Sequence, residues 1–274
     1  MKTLDGKVVV ITGAGSGIGR ALALNAARQG AVLALSDWDE VGLVETAQQV
    51  QTSTHREVRT DKLDVRDREA VRAYAASVAA GLGRVNVVVN NAGVALHGDF
   101  EEMPYEDFEW VMDVDFWGVV QGTKEFLPHL IASGDGHVVN ISSLFGLVGM
   151  PGQTAYNAAK FGVRGFTEAL RQEMILAGHP VQVTCVHPGG IKTAIVRNAR
   201  VTPSHDQAHV AQHFDTKLAK MTPERAAEII LDGVLANKPR VLVGSDAKAL
   251  DWLQRLLGAR YQRLFTLAAR RLGP

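Results

Sequence analysis

Residues 7–19, KVVVITGAGSGIG, set the strongest constraint on what this chain can become. A short apolar run rich in valine leads into TGAGSGIG, eight residues of which four are glycine. Glycine reaches positive φ at little steric cost and lets backbone N–H groups come close to a bound group. A strand that breaks into such a turn and starts a helix near Gly19 builds a cradle for phosphate, because a helix N-terminus presents unpaired N–H groups and a positive dipole end. A ligand-free turn requires one glycine, not four. The spacing is G-x-x-x-G-x-G, from Gly13, Gly17 and Gly19. In the more common G-x-G-x-x-G register, the third glycine would fall on Ile18 or Arg20. In a dinucleotide cradle, an acidic residue about 20 positions on meets the ribose hydroxyls. Asp37 stands there, closing the run AVLALS, and Asp39 is a rival two residues beyond. A carboxylate accepts a hydrogen bond from a 2′-hydroxyl and repels a 2′-phosphate. With Ser16 before Gly17 and no basic residue directly after Asp37, the pattern favours NAD over NADP.

The first strand is one of a series. Short runs rich in Val and Ile recur at 7–12, 31–36, 58–65, 86–93, 136–143, 181–189 and 240–245. Their near-continuous apolar character predicts strands buried on both faces. Alanine-rich segments of helical period separate most of them, as in GRALALNAARQG and REAVRAYAASVAAGLG. This rhythm predicts an α/β fold, a single-domain doubly wound parallel sheet with helices on both faces. Two segments fall outside it. Residues 192–222 are long and polar, and residues 246–274 form a basic, helical C-terminal extension to a domain spanning 1–245.

Composition narrows the class. With 274 residues, 46% of them hydrophobic, the chain is long enough for a sizeable core. It balances 29 basic against 29 acidic residues, which speaks against a nucleic-acid partner. Its single cysteine, Cys185, excludes an intrachain disulfide and reads as a buried strand residue. The absence of a signal-peptide pattern or an apolar run of spanning length leads to the expectation of a cytoplasmic protein.

The chemistry points to TAYNAAKFGVRGFTEALRQEM, which has helical period. Tyr156 and Lys160 stand one turn apart, about 6 Å on one helix face. Free tyrosine ionises near pH ~10, and a neighbouring ammonium lowers that value, so the pair can act as a general acid-base. Ser143 ends the run VVNISS, where a hydroxyl can polarise a substrate carbonyl. Ser142 is the less favoured choice. Ligands of doubly wound sheets sit beyond the carboxyl ends of the strands, where the glycine loop, Asn91, Ser143 and His187 all fall.

In joint order and spacing, TGAGSGIG, LDV (63–65), NNAG (90–93), NISS (140–143), YNAAK (156–160) and PGGIKT (188–193) resemble the short-chain dehydrogenase/reductase family over nearly the whole chain. The resemblance implies a Rossmann-type fold and hydride transfer between a nicotinamide and an alcohol or ketone. It implies Tyr156 as acid-base, with Lys160 lowering its pKa and holding the nicotinamide ribose. Ser143 would orient the substrate oxygen. Gly13, Ser16, Gly17, Ile18 and Gly19 would hold the pyrophosphate and Asp37 the adenosine ribose. Asp64 and Val65 would meet the adenine, and Asn91, Ala92 and Gly93 the middle of the cofactor. Pro188, Gly189, Ile191 and Thr193 would flank the nicotinamide. One position departs from the family: Asp115, in MDVDFWGVV, stands where the family usually has the asparagine of a proton relay. An ionised Asp115 near Lys160 would raise the lysine pKa and retune the relay.

The remaining features bear on substrate and partners. Leu96, Phe145, Leu147 and Met150 flank the substrate-facing motifs and imply an apolar secondary alcohol or ketone. Residues 192–222 would shape that pocket, and His97 would either line it or lie on the surface. His205, His209 and His213 recur every four residues and would share one face if helical, which reads as a solvated face rather than a metal site. The tail carries Leu250, Leu253, Leu257, Tyr261 and Leu264 with Lys248, Arg255, Arg260, Arg263, Arg270 and Arg271, against the single acid Asp251. Such a helix suits a subunit contact, a cap on the pocket or a membrane surface. A homo-oligomer, dimer or tetramer, follows from the family. The competing functional reading is a nicotinamide-binding, redox-sensing protein without turnover.

Overall fold

The computed structural model describes residues 1–272, and for 268–272 the backbone alone. Seven strands form one parallel sheet: β1 (Val8–Thr12), β2 (Val32–Asp37), β3 (Arg59–Lys62), β4 (Val87–Asn90), β6 (Gly136–Ile141), β7 (Val181–Pro188) and β9 (Arg240–Val243). Their order is β3-β2-β1-β4-β6-β7-β9. Two further strands, β5 (Leu96–His97) and β8 (Arg200–Val201), pair with each other outside it. The chain thus adopts the doubly wound parallel sheet expected from its rhythm, in the Rossmann-type arrangement that the resemblance implies.

Side-chain alternation distributes the core. Val9 and Ile11 of β1 face the layer made by α1 (Gly17–Arg28), α2 (Glu40–Thr54) and α8 (Pro223–Leu235). Val10 faces the opposite layer, with α3 (Arg68–Leu82), α5 (Gly118–Ala132) and α6 (Thr154–Leu176). Both faces of the central strands are therefore covered, which is why they read as unbroken Val and Ile. β3 differs from the expectation. It is shorter than 58–65 and alternates partly exposed and exposed residues, RTDK. It is an edge strand, and charge on an edge discourages pairing with other chains.

The chain reverses its winding at β1, leaving a crevice between the carboxyl ends of β1 and β4. Helix α4 (Tyr105–Met112) runs into α5 through a π-turn, Asp113–Trp117, which carries Asp115. The 192–222 segment is not a plain loop. It contains β8, α7 (Gln207–His213) and a second π-turn, Phe214–Leu218. The extension forms α9 (Ser245–Leu257) and α10 (Tyr261–Leu272), broken at Gly258, whose φ is +51°. Residues 273 and 274, and the side chains of Arg270 and Arg271, lie outside the described residues. No helix among the described residues is long and apolar enough to cross a membrane.

Candidate active site

The glycine turn is shaped by contacts that exclude side chains. Gly13 has φ +64°, and a Cβ there would stand 2.7 Å from Ala92 Cα. A Cβ on Gly19 would stand 2.0 Å from the Gly13 carbonyl oxygen. Ser16 is the N-cap of α1 but makes no side-chain cap bond, and the first turn, with Gly17, Ile18 and Gly19, holds no acidic residue. The positive helix end is therefore left to an anion, which fits a dinucleotide pyrophosphate. Asn91 ties this turn to the neighbouring strand, its Nδ2 donating to the carbonyls of Thr12 and Gly13 at 3.0 Å each. Asp37 accepts from Gly15 N–H at 2.7 Å and from Asp39 N–H at 3.0 Å. Asp39 instead caps α2, accepting from Val41 N–H. That structural duty leaves Asp37 as the carboxylate nearest the glycine turn. Trp38, directly after it, is exposed and offers an aromatic face that the motif reading overlooked.

Asp64 and Val65 follow β3. The Asp64 carboxylate is held below its usual range by the hydrogen-bonding Arg66 guanidinium, and Val65 is buried under α5. Gly93 lies beside the polar cluster, since a Cβ on it would come within 3.5 Å of both Asp115 Oδ1 and Lys160 Nζ. Thr193 lies against Gly17, so the 188–193 turn closes toward the glycine turn. Ile191 bridges to Met221. Pro188 ends β7, and Gly189 packs so tightly on Asp246 that a Cβ would stand 2.2 Å from its carboxylate. Asp246 also accepts from Gly190 N–H at 2.7 Å. The first residues of the C-terminal extension therefore shape this turn, which no local motif signals.

The titratable cluster lies beyond β6. Ser142 is turned away, its hydroxyl donating to the Lys160 carbonyl at 2.9 Å. The Ser143 hydroxyl accepts from Phe145 N–H at 3.1 Å and lies close enough to the Tyr156 phenol to favour its ionised form. His187, fully buried, donates from Nδ1 to the Ser143 carbonyl at 2.9 Å and so fixes that serine from behind. Burial pushes the His187 pKa down to about 4, so the ring is neutral at ordinary pH. Lys160 Nζ stands 5.5 Å from the centre of the Tyr156 ring, donates to the Ile141 carbonyl at 3.2 Å, and pairs with Asp115 Oδ2 at 3.0 Å. The other Asp115 oxygen accepts from Val94 N–H at 2.7 Å, and the residue has no solvent exposure.

This pairing changes the electrostatics expected from Tyr156 and Lys160 alone. Burial raises the Asp115 pKa, opposed by Lys160. Burial acts to lower the Lys160 pKa, but Asp115 and Tyr156 outweigh it and hold it above its ordinary value. Wherever the shared proton sits, the Asp115–Lys160 pair carries no net charge. Tyr156 remains above its ordinary pKa, because burial, joined by the Asp115 charge, outweighs Lys160 and the nearby Ser143 hydroxyl. Lys160 does act to bring the phenol down, as expected, but in the protein alone burial outweighs it.

The substrate side also departs from expectation. Leu96 and Leu147 are fully buried in the core, leaving Phe145 and Met150 as the partly exposed apolar pair. Adjacency to a motif did not reveal facing. Phe145 meets Tyr156 edge-to-face, with ring centres 6.2 Å apart. Asn157 anchors this loop by donating to the Phe145 and Val148 carbonyls and accepting from Met150 N–H. The extension braces the same loop: the Tyr261 hydroxyl accepts from Gly149 N–H at 2.8 Å. Leu250, Leu257 and Phe265 pack with Leu144 and Val148. His97 is partly buried, bonded to Gln153 and set edge-to-face against His205, with ring centres 4.8 Å apart. His205 precedes α7, so the three spaced histidines do not share one helix face. Cys185 is buried in β7, and burial pushes its thiol up to about 12.

The chain's relatives match this geometry. The model of the short chain dehydrogenase family matches residues 7–204. SadH of Mycobacterium tuberculosis, named as an oxidoreductase, is 58% identical over 274 residues, covering 100% of this chain and 99% of its own. A short chain dehydrogenase/reductase from Burkholderia phymatum, solved in complex with NAD, superposes with a TM-score of 0.88 at 30% identity, covering 94% of this chain and 95% of its own. A short chain dehydrogenase from Mycobacterium paratuberculosis bound to NAD superposes with a TM-score of 0.76 at 26% identity, over 88% and 97% of the two chains. With the cradle, the fold and the full-length match to SadH in agreement, this chain belongs to the short-chain dehydrogenase/reductase family and is an NAD(P)-dependent oxidoreductase.

Proposed function

We propose that this protein interconverts an apolar secondary alcohol and its ketone with NAD(H) as the preferred cofactor. The reading rests on the meeting of Ser143, Tyr156 and Lys160 beside the glycine turn, at the carboxyl ends of the strands. A bound nicotinamide dinucleotide supplies the hydride acceptor in oxidation and the donor in reduction. Gly13, Ser16, Gly17, Ile18 and Gly19 would hold its pyrophosphate. Asp37, Asp64 and Val65 would hold the adenosine end, and Asn91, Ala92, Gly93, Lys160, Pro188, Gly189, Ile191 and Thr193 the remainder. Ser143 holds the substrate oxygen while the Tyr156 oxygen takes the hydroxyl proton in oxidation and returns it in reduction. Phe145 and Met150 offer that substrate an apolar wall without a charged partner. The test is absorbance-monitored turnover across secondary alcohols and ketones, steroids and aromatic ketones included, each with NAD(H) and NADP(H). Turnover confined to NADP(H), or to charged substrates, would overturn this reading in its cofactor or its substrate half.

Asp37 carries the cofactor preference. The Asp37→Asn protein retains a polar side chain but loses the charge that repels a 2′-phosphate. The ratio of kcat/KM for NADP(H) to that for NAD(H) should rise about tenfold or more. An unchanged ratio would move the discrimination elsewhere.

Tyr261 should tune substrate binding from outside the catalytic cluster. In Tyr261→Phe the ring packing stays and only the bond to Gly149 N–H is lost. An unpaired N–H in a partly buried loop costs about 1–3 kcal/mol. We expect KM for the substrate to rise about threefold to tenfold while kcat and NADH affinity hold. A fall in melting temperature with KM unchanged would reduce Tyr261 to a packing residue.

A further inference from the structure

The C-terminal extension has two apolar faces, and the body of the protein occupies one of them. Ala247, Leu250, Leu257, Tyr261 and Phe265 turn inward onto Leu144 and Val148. Yet Trp252 is 66% exposed, Leu256 75%, Leu264 48% and Leu267 54%. A helix packed only on its own domain does not need this second set of large apolar residues. From residue 248 onward the exposed charges among them are of one sign. Lys248, Arg255, Arg260 and Arg263 are all exposed. Asp251, the one acid from residue 248 to the end of the sequence, is buried between Arg240 at 3.2 Å and Arg255 at 2.9 Å. Since the whole chain balances 29 basic against 29 acidic residues, the extension concentrates positive charge that the body offsets elsewhere.

We propose that α9 and α10 form a docking surface for an anionic lipid bilayer. Trp252, Leu256, Leu264 and Leu267 would enter the headgroup boundary, and the arginines and Lys248 would meet lipid phosphates. Tryptophan suits that boundary because its ring is apolar and its N–H polar. Exposed leucines with arginines, and no exposed acid beyond Asp246 in the first turn of α9, are the pattern of a helix lying in the interface plane. A second copy of this chain is a poorer occupant, because a two-fold contact through this face would set like charges against one another. Surface docking requires no spanning helix, and its test does not depend on the catalytic reading.

The test is sedimentation of the full chain with phosphatidylcholine vesicles, with and without phosphatidylglycerol. The protein should sediment with the anionic vesicles, far less with the neutral ones, and be released by raised salt. Arg260→Glu with Arg263→Glu, and separately Leu256→Glu with Leu264→Glu, should each weaken partitioning about tenfold or more while the protein still melts cooperatively. Should the leucine variant fail to fold, the arginine variant and the Trp252 emission decide. That emission should move to shorter wavelength on anionic vesicles, and the shift should vanish in Trp252→Phe. Wild-type protein that stays in the supernatant with both vesicle types would overturn the proposal. So would arginine variants that bind as well as the wild type, or variants that instead lower the oligomer mass in light scattering, which would identify a subunit contact.

Discussion

Tyr156→Phe should lower kcat/KM by about 100- to 10,000-fold while NADH still binds, as read by the fluorescence of the reduced cofactor. The substitution removes one oxygen and leaves the ring, its edge-to-face contact with Phe145 and the helix around it. That oxygen is the proposed acid-base group, near Ser143, and nothing else in the cluster is free to replace it. Lys160 is committed to Asp115 and the Ile141 carbonyl. His187 presents its nitrogen to the serine's backbone. The result also separates the two functional classes. A protein that only senses the nicotinamide would show no turnover to lose, whereas an enzyme loses turnover and keeps binding. Residual activity close to wild type would mean that the proton leaves by a route that bypasses Tyr156.

Asp115→Asn should move the pH profile of alcohol oxidation toward acid by about one unit. The sign follows from charge. In the wild type, Tyr156 faces a lysine whose charge is balanced by a buried carboxylate, so the pair contributes little net field. With asparagine, a protonated Lys160 presents one uncompensated positive charge. The phenolate is then favoured, and the Tyr156 pKa falls. Oxidation requires the phenolate, so its rising limb shifts to lower pH. Reduction requires the protonated phenol, so its falling limb shifts the same way. The variant should also be less stable, because breaking a buried pair by removing one partner typically costs about 3–5 kcal/mol. Lost stability alone would not displace the midpoint of the pH–rate profile. A profile with an unmoved midpoint would show that the Asp115 charge does not reach Tyr156.

The parts of this molecule legible in its sequence are those encoded by local spacing. Val9, Val10 and Ile11 announce a strand covered on both sides, because neighbouring residues of a strand face opposite layers. The crowded glycines announce the cradle, because only glycine fits where a Cβ would stand 2.0 Å from a carbonyl oxygen. Tyr156 and Lys160 are readable as a pair because one helical turn separates them. The same logic fails where the partner lies far along the chain. Leu96 and Leu147 looked substrate-facing beside their motifs, but core packing claims both. Asp246 shaping the Gly189–Gly190 turn and Tyr261 bracing Gly149 both reach back from an extension that reads only as a basic helix.

The sequence by itself determined the parallel α/β architecture, the glycine turn and the placing of Tyr156 and Lys160 on one helix face. Each follows from residue type at short fixed intervals, which the geometry of helix and strand converts directly into position. The tertiary structure alone decided the charge that Tyr156 experiences. A π-turn in the α4–α5 helix carries Asp115 to within 3.0 Å of Lys160 and out of solvent. Coulomb energy depends on that distance and on the water excluded around it, and neither is encoded in the spacing of residues along the chain.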